Sequence, residues 1–340
     1  MIRSFDWRDV GLVKTLADSG VCLDSETGLT QGNHPLQQAL LSYLMPMAGA
    51  PTLIWRADGD HTAVFGQLSH RQGDNHARVL YMAPLAEAST DGWLHLIERL
   101  AVEAGERRAQ NLIAEVDEKS PESEALRLAG FAIYARQTLW KLASREAATK
   151  ASEQVALRPA LRADTIGVNT LYNNVVPRLV QQVEPGPQHI ERGYVLEDGD
   201  ELVAFLDVRR GPQGIWVEPF LHPEAFDLSE AVLETCLQLL PPSPSEKPLY
   251  VCVRRYQDWL QSIMPRAGFE LFGSQVVMVK RLAVRISEPV LKSLAVVDGH
   301  VPTAIPSAQF TPHEDERRPG YPSNGTAHYR WPTHAKANYR

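Results

Sequence analysis

The chain has 340 residues, 44% of them hydrophobic and 22% charged, an ordinary composition for a soluble globular protein and a length that suggests two domains plus extras. Its formal net charge of −7 argues against nucleic acid or an anionic membrane as the main partner. Three well-separated cysteines (Cys22, Cys236, Cys252) with no CxxC pair argue against a disulfide framework and a zinc site. The N-terminus "MIRSFDWRDV" has no apolar signal-peptide run, and no stretch approaches ~18 uninterrupted apolar residues, so the expectation is a cytoplasmic protein without a membrane span.

In chain order, a first strand is followed by a helix over 9–19 and a hairpin pairing 52–58 with 61–68 across a D-G-D turn. A strand over 77–83 then leads to a long amphipathic helix over 91–108, where Leu94, Ile97, Leu100 and Ala101 fall on one face. A strand over 111–116, a short helix over 121–128 and a strand after Ala129-Gly130-Phe131 complete the first series. A polar, Ala-rich segment, 143–154, reads as a linker. The same series then returns as a helix over 164–183, a hairpin pairing 193–198 with 201–208, a strand over 214–221 and a long helix over 227–240. A Pro-rich connection (241–248), a strand over 248–253, a short helix over 256–265 and a strand after Ala267-Gly268-Phe269 end it. From about residue 288 Pro and polar residues dominate without a period, which predicts an extended or disordered tail.

Three anchors recur in the same order. "IRSFDWRD" (2–9) and "LRPALRAD" (157–164) each place an Arg six residues before an Asp, and both D-G-D turns and both A-G-F sequences follow, at offsets of 155, 140 and 138 residues. The sequence therefore predicts a duplicated domain.

This order of elements resembles the GCN5-related N-acetyltransferase (GNAT) fold, met twice over roughly 1–142 and 155–284. The resemblance implies an α+β architecture. Two GNAT-like domains, each a mixed, mostly antiparallel sheet flanked by helices, occupy 1–142 and 155–286, joined by the 143–154 linker and followed by an extended tail, 287–340. It also implies acyl-CoA-dependent transfer of an acyl group, acetyl by default, to the amine of a small molecule or peptide. In such proteins the strand before the long helix splays from its neighbour to receive the pantetheine arm, and an R/Q-x-x-G-x-G/A loop places the pyrophosphate on the helix N-terminus. Counting from Pro84, this chain offers Glu87-x-x-Thr90-x-Gly92; counting from Pro223, it offers Phe226-x-x-Ser229-x-Ala231. Small residues remain at the glycine positions and the Arg or Gln is gone from both.

The resemblance thus names Ala83, Leu85, Thr90 and Gly92 as the acetyl-CoA cradle. An inward Glu87 about 4 Å from a phosphate opposes binding by roughly 4 kcal/mol, more than the helix end returns. The tyrosine that serves as general acid in such proteins is replaced by Leu126 and Met264, neither of which donates a proton. Glu115, near a strand end where the family sometimes places a base, is the candidate catalytic residue, and Glu218 is a strand-end carboxylate of the second half. Two readings of the loops stay open: an acyl-CoA site, and helix caps supplied by Thr90 or Asp91 and by Asp227 or Ser229. No histidine pair has a metal spacing; His61, His70 and His76 read as solvated. Two function classes follow. One is an N-acyltransferase or its degenerate descendant. The other is a non-catalytic GNAT-like binding module whose tail, with Trp331 among basic and aromatic residues, contacts a protein partner.

Overall fold

The computed structural model describes residues 1–45, 50–57, 62–71, 74–142, 155–240 and 247–282. The 143–154 linker, the tail with Trp331, His61, the first D-G-D turn and most of the Pro-rich connection lie outside the described residues.

The first half opens with strand β1 (Ile2–Ser4) and helix α1 (Val10–Leu16), each side of a 3-10 turn at Trp7–Asp9. Next come β2 (Val21–Cys22), α2 (Ser25–Gln31) and α3 (Pro35–Leu44), between the expected first helix and the expected hairpin. The strands β3 (Thr52–Arg56), β4 (Ala63–Ser69) and β5 (His76–Ala83) lead to α4 (Thr90–Glu106), β6 (Asn111–Val116), α5 (Pro121–Leu128) and β7 (Ala132–Leu142). The second half runs β8 (Arg158–Pro159), α6 (Thr165–Val175), α7 (Arg178–Gln181), β9 (Tyr194–Asp198), β10 (Glu201–Arg210) and β11 (Ile215–Leu221). It ends with α8 (Ser229–Leu239), β12 (Leu249–Arg254) and β13 (Phe269–Arg281). The helix expected over 164–183 is broken into α6 and α7 at Pro177, which has no N–H to continue the ladder. The short helix expected over 256–265 is a 3-10 stretch, Arg255–Ser262.

One sheet holds every strand among the described residues, in the order β1-β3-β4-β5-β6-β13-β7-β12-β11-β10-β9-β8, with β2 paired to β5. From either end the order of the elements is the same, and the last strand of each half is exchanged into the other. β13 pairs with β6, β7 pairs with β12, and the two meet antiparallel at the centre with Gln137 opposite Gln275. The duplicated domains are therefore joined edge to edge. Pulling them apart would expose unpaired strand edges on both.

The repeat is visible in side chains. Arg3 forks onto Asp9 at 2.5 and 2.6 Å, and Asp9 also accepts the Asp6 N–H. Arg158 forks onto Asp164 at 2.7 and 2.9 Å, and Asp164 accepts the Leu161 N–H. Both A-G-F glycines take positive φ (+86° at Gly130, +83° at Gly268), and the following Phe N–H bonds back to Leu126 and Met264 respectively. That chain reversal favours glycine because a side chain crowds the backbone there.

Helices cover both faces of the sheet. Trp93, Leu96, Ile97, Leu100, Ala101 and Ala104 of α4 form the buried stripe, with Leu94 at its margin, and pack with α5 on one face of the first half. α1 and α3 close the opposite face. α8 covers the second half with Val232, Leu233 and Cys236. α6 and α7 pack on a cluster that includes Ile113, Tyr134, Val277 and Val279 from the central strands, so one core spans the exchanged strands. Cys22 is half-buried and Cys236 and Cys252 are buried, all free thiols.

Candidate functional site

Each half contains one fork between parallel neighbours. β5 pairs with β6 only over His76–Arg78 and Asn111–Ile113, and β11 with β12 only over Ile215–Val217 and Leu249–Val251. Beyond these residues the strands part and leave backbone groups free to bond something else.

In the first fork that partner is the chain itself. Val21 and Cys22 pair antiparallel with Met82 and Tyr81, the Leu23 N–H donates to Leu80 O at 3.0 Å, and the Glu115 N–H donates to Leu23 O at 2.8 Å. Leu23 is fully buried between the strands, and the Leu85 N–H donates to Ser19 O. The chain enters at Gly20, where a Cβ would lie 2.5 Å from Ala83 Cβ and 2.6 Å from Met82 O. Only glycine permits that approach.

The residues named from the sequence as an acyl-CoA cradle therefore meet protein atoms. Ala83 is buried under Gly20, and the Leu85 amide is bonded to Ser19. Thr90 donates its hydroxyl to Ala86 O at 3.1 Å. Gly92 is buried with Ser89 Oγ and Val64 Cγ2 each 2.6 Å from where its Cβ would be. Glu87 is exposed, but the buried Glu122 accepts the Ala86 N–H at 3.1 Å, so a carboxylate already lies at the start of this loop. The cap of α4 is Ser89, one residue before the expected Thr90, and no side chain bonds the helix end. In the second half α8 starts at Ser229 after Leu228, again without a side-chain cap, in place of Asp227 or Ser229.

Glu115 is a clamp. It is buried, and its carboxylate accepts from Arg78 Nη1 at 2.9 Å, the Ser25 N–H at 3.0 Å and Gln137 Nε2 at 3.1 Å. Three donors converge on it and tie α2 and the inserted segment to the sheet centre. A carboxylate bonded in this way is poorly placed to collect a proton from a substrate.

The second fork is bridged by side chains alone among the described residues. Gln257 accepts the Leu221 N–H at 2.8 Å and donates to Pro219 O at 2.7 Å, and Arg254 Nε meets Glu218 Oε1 at 3.2 Å. Pro219, without an N–H, sits where an edge donor would be lost.

Beside this fork lies a cavity of about 170 Å³. α2 and the β4–β5 connection wall it on one side, and α6, residues 184–192 and β10–β12 on the other. Glu184 is its hub. Arg254 Nη2 lies 3.0 Å and Arg78 Nη2 3.6 Å from Glu184 Oε2, and Tyr134 donates its hydroxyl to Glu184 Oε1. Burial alone would raise the Glu184 carboxyl, but Arg254 and Arg78 hold it below its usual range. Burial and Glu184 together push the Tyr134 hydroxyl well above its ordinary value.

Asp207 faces Glu218 across the β10–β11 ladder. Burial, and then the Glu218 charge, push the Asp207 carboxyl up to about 7, against the pull of Arg192 and Arg71. Arg209 Nη2 lies 2.8 Å from Asp207 Oδ2. His76 and His70, expected to be solvated, are half-buried and line the cavity wall, and burial and then Arg78 lower the His76 imidazole. Asp207, Glu184 and the two arginines carry no motif. They converge from strands and a loop distant in sequence, and only Glu218 among the carboxylates at this fork was marked as a strand-end acid. No three His, Cys, Asp or Glu side chains among the described residues are grouped to hold a metal ion. No described helix is long and apolar enough to cross a membrane.

No family model matches the chain, and no curated protein matches it. Solved structures do. A GCN5-related N-acetyltransferase from Sphaerobacter thermophilus is 11% identical and aligns with a TM-score of 0.52 over 83% of this chain and 95% of its own. A tandem GNAT protein from the clavulanic acid biosynthesis pathway is 15% identical, with a TM-score of 0.49 over 83% of this chain and 98% of its own. A GNAT-family acetyltransferase from Colwellia psychrerythraea is 15% identical, with a TM-score of 0.44 over 83% and 99%. At these identities the likeness concerns the fold.

Proposed function

We propose that this chain, which carries the GCN5-related N-acetyltransferase fold in duplicate, is an acyl-CoA-dependent N-acyltransferase working through its second half. The observation that carries the reading is the Asp207–Glu218 pair beside a fork bridged only by side chains. A carboxyl poised near neutrality and next to a second carboxylate suits the removal of a proton from an ammonium group. Gln257 tests the fit of the cofactor arm. Its side-chain amide donates to Pro219 O and accepts from the Leu221 N–H, the two bonds an amide of pantetheine can make to that strand edge. Bound there, acyl-CoA supplies the thioester. The chain's own contribution is to hold the amine against it, deprotonated by Glu218 or Asp207. In this reading acetyl is the acyl group, a small-molecule or peptide amine the acceptor and the cytoplasm the location. In this reading Ala83, Leu85, Thr90, Gly92 and Glu115 of the first half stiffen the sheet.

A second reading is favoured by a specific observation, the main-chain segment filling the first fork together with the Pro at the second. It is a non-catalytic binding module, with the tail 287–340 as its contact to a protein partner. Calorimetric titration of acetyl-CoA into the wild type and Gln257→Ala, with thiol release measured against an amine panel, separates the two. The enzyme reading expects binding that Gln257→Ala tightens, stabilisation of about 2.7 kcal/mol at 100 times the dissociation constant, and release abolished in Glu218→Gln. No heat and no release from either protein leaves the binding module.

A further inference from the structure

Three cavity residues are incompletely bonded. Asp24, Asp207 and Arg254 all line the cavity and are all nine-tenths or more buried, and Asp24 Oδ1, Asp207 Oδ1 and Arg254 Nη1 have no hydrogen-bond partner. The nearest cation to Asp24 Oδ1 is Arg78, at 3.9 Å. A buried polar atom left unpaired is costly, so in native proteins such atoms are matched by water or a ligand.

The leftover groups are of two kinds. Two are carboxylate oxygens, which accept; one is a guanidinium N–H, which donates. An inorganic anion would satisfy Arg254 and meet Asp24, Glu184, Asp207 and Glu218 at close range. A polyamine would satisfy the two aspartates and meet Arg78, Arg254 and Arg209. Either leaves one kind of group unmatched beside a like charge, and like charges in a low-dielectric site repel strongly. A molecule bearing both an ammonium and a carboxylate matches both. The cavity volume is an order of magnitude above the ~10–15 Å³ that one water needs.

We propose that this inter-half cavity binds a free amino acid or a similarly small zwitterion, its ammonium toward Asp24 and Asp207 and its carboxylate toward Arg254. Carboxylates outnumber guanidiniums among the buried lining residues, so the ammonium makes the larger contribution. Both halves of the chain are needed, since Asp24 belongs to the first and Asp207 and Arg254 to the second. The inference deepens the acyltransferase reading by naming the class of acceptor amine, and the binding itself needs no acyl-CoA.

The test titrates the full chain, without acyl-CoA, with the twenty free L-amino acids, their C-terminal amides and their N-acetyl derivatives, by calorimetry and thermal unfolding. At least one free amino acid should bind at millimolar concentration or tighter, its amide more weakly and its N-acetyl form at least about tenfold more weakly than the free acid. Asp207→Asn should lose about tenfold in affinity for that amino acid while keeping its own unfolding transition; Asp24→Asn serves as the second variant. The proposal is overturned if no free amino acid binds, if blocked forms bind equally well, or if both variants keep full affinity. Amino-acid binding without acetyl-CoA binding would refute the enzyme reading alone, and acetyl-CoA turnover without amino-acid binding would refute this inference alone.

Discussion

Replacing Glu115 by Gln is the sharpest test of how the first fork is closed. The wild-type carboxylate takes three donors in a buried site, from Arg78, the Ser25 N–H and Gln137. A glutamine keeps one acceptor oxygen, and its NH₂ must face either Arg78 or the Ser25 and Gln137 donors. A charge-assisted bond of about 1.5–3 kcal/mol is lost and a donor is set against a donor. Arg78 keeps Glu184 at 3.6 Å and Asp24 at 3.9 Å, which moderates the loss of its main counter-charge. The expected destabilisation is about 3 kcal/mol, near the lower end for a broken buried ion pair. Urea unfolding should show it as a fall in midpoint of roughly 1 M at unchanged slope. Amide exchange at residues 21–25 should quicken in parallel, because that segment is tied to the sheet through this carboxylate. A stability change below about 0.5 kcal/mol with thiol-release activity lost would refute the clamp and restore Glu115 as a catalytic base.

Asp207 gives a pH prediction. Its folded-state carboxyl lies near 7 against an ordinary 3.8, so between those values the native protein holds more protons than the unfolded chain. Its contribution to stability is full below about pH 4 and is lost as pH rises through about 7. Asp207→Asn does not titrate, so the variant should gain on the wild type across that window, with a ceiling of roughly 4 kcal/mol that Arg209 reduces. A difference between the two unfolding curves that is flat with pH counts against the assignment. Gly20→Ala should cost about 1–3 kcal/mol, since the new methyl meets Ala83 Cβ and the Met82 carbonyl. Denaturant unfolding equal to wild type would mean that the segment does not pass over β5 so closely.

The duplication was legible because it rests on short-range rules. An Arg and an Asp six residues apart close the same ion pair twice, and A-G-F needs a positive-φ glycine in both copies to reverse the chain. The long helices show their period: Ile97, Leu100 and Ala101 of α4 are buried as it predicts, with Trp93, Leu96 and Ala104 beside them and Leu94 at the margin. Residues 20–34 are rich in glycine and polar side chains and carry no period, and they hold the segment that fills the first fork; the helical period of Leu36, Ala39 and Leu40 marks only α3 after it.

The amino-acid order by itself determined most of the element types, the repeat and the fold they share, since each follows from turn chemistry and from side-chain spacing along a few turns or pleats. Which groups are left for chemistry was decided only by the tertiary structure. The Leu23 to Glu115 backbone bond, the Gln257 bridge and the Asp207–Glu218–Arg254–Glu184 cluster join residues 11 to 92 positions apart. Exchange of β7 and β13 then brings Asp24 and Arg78 to the same cavity as Asp207 and Arg254. The charge a buried carboxyl keeps depends on neighbours of this kind, through burial and Coulomb interaction across space, and neither is written in the local sequence.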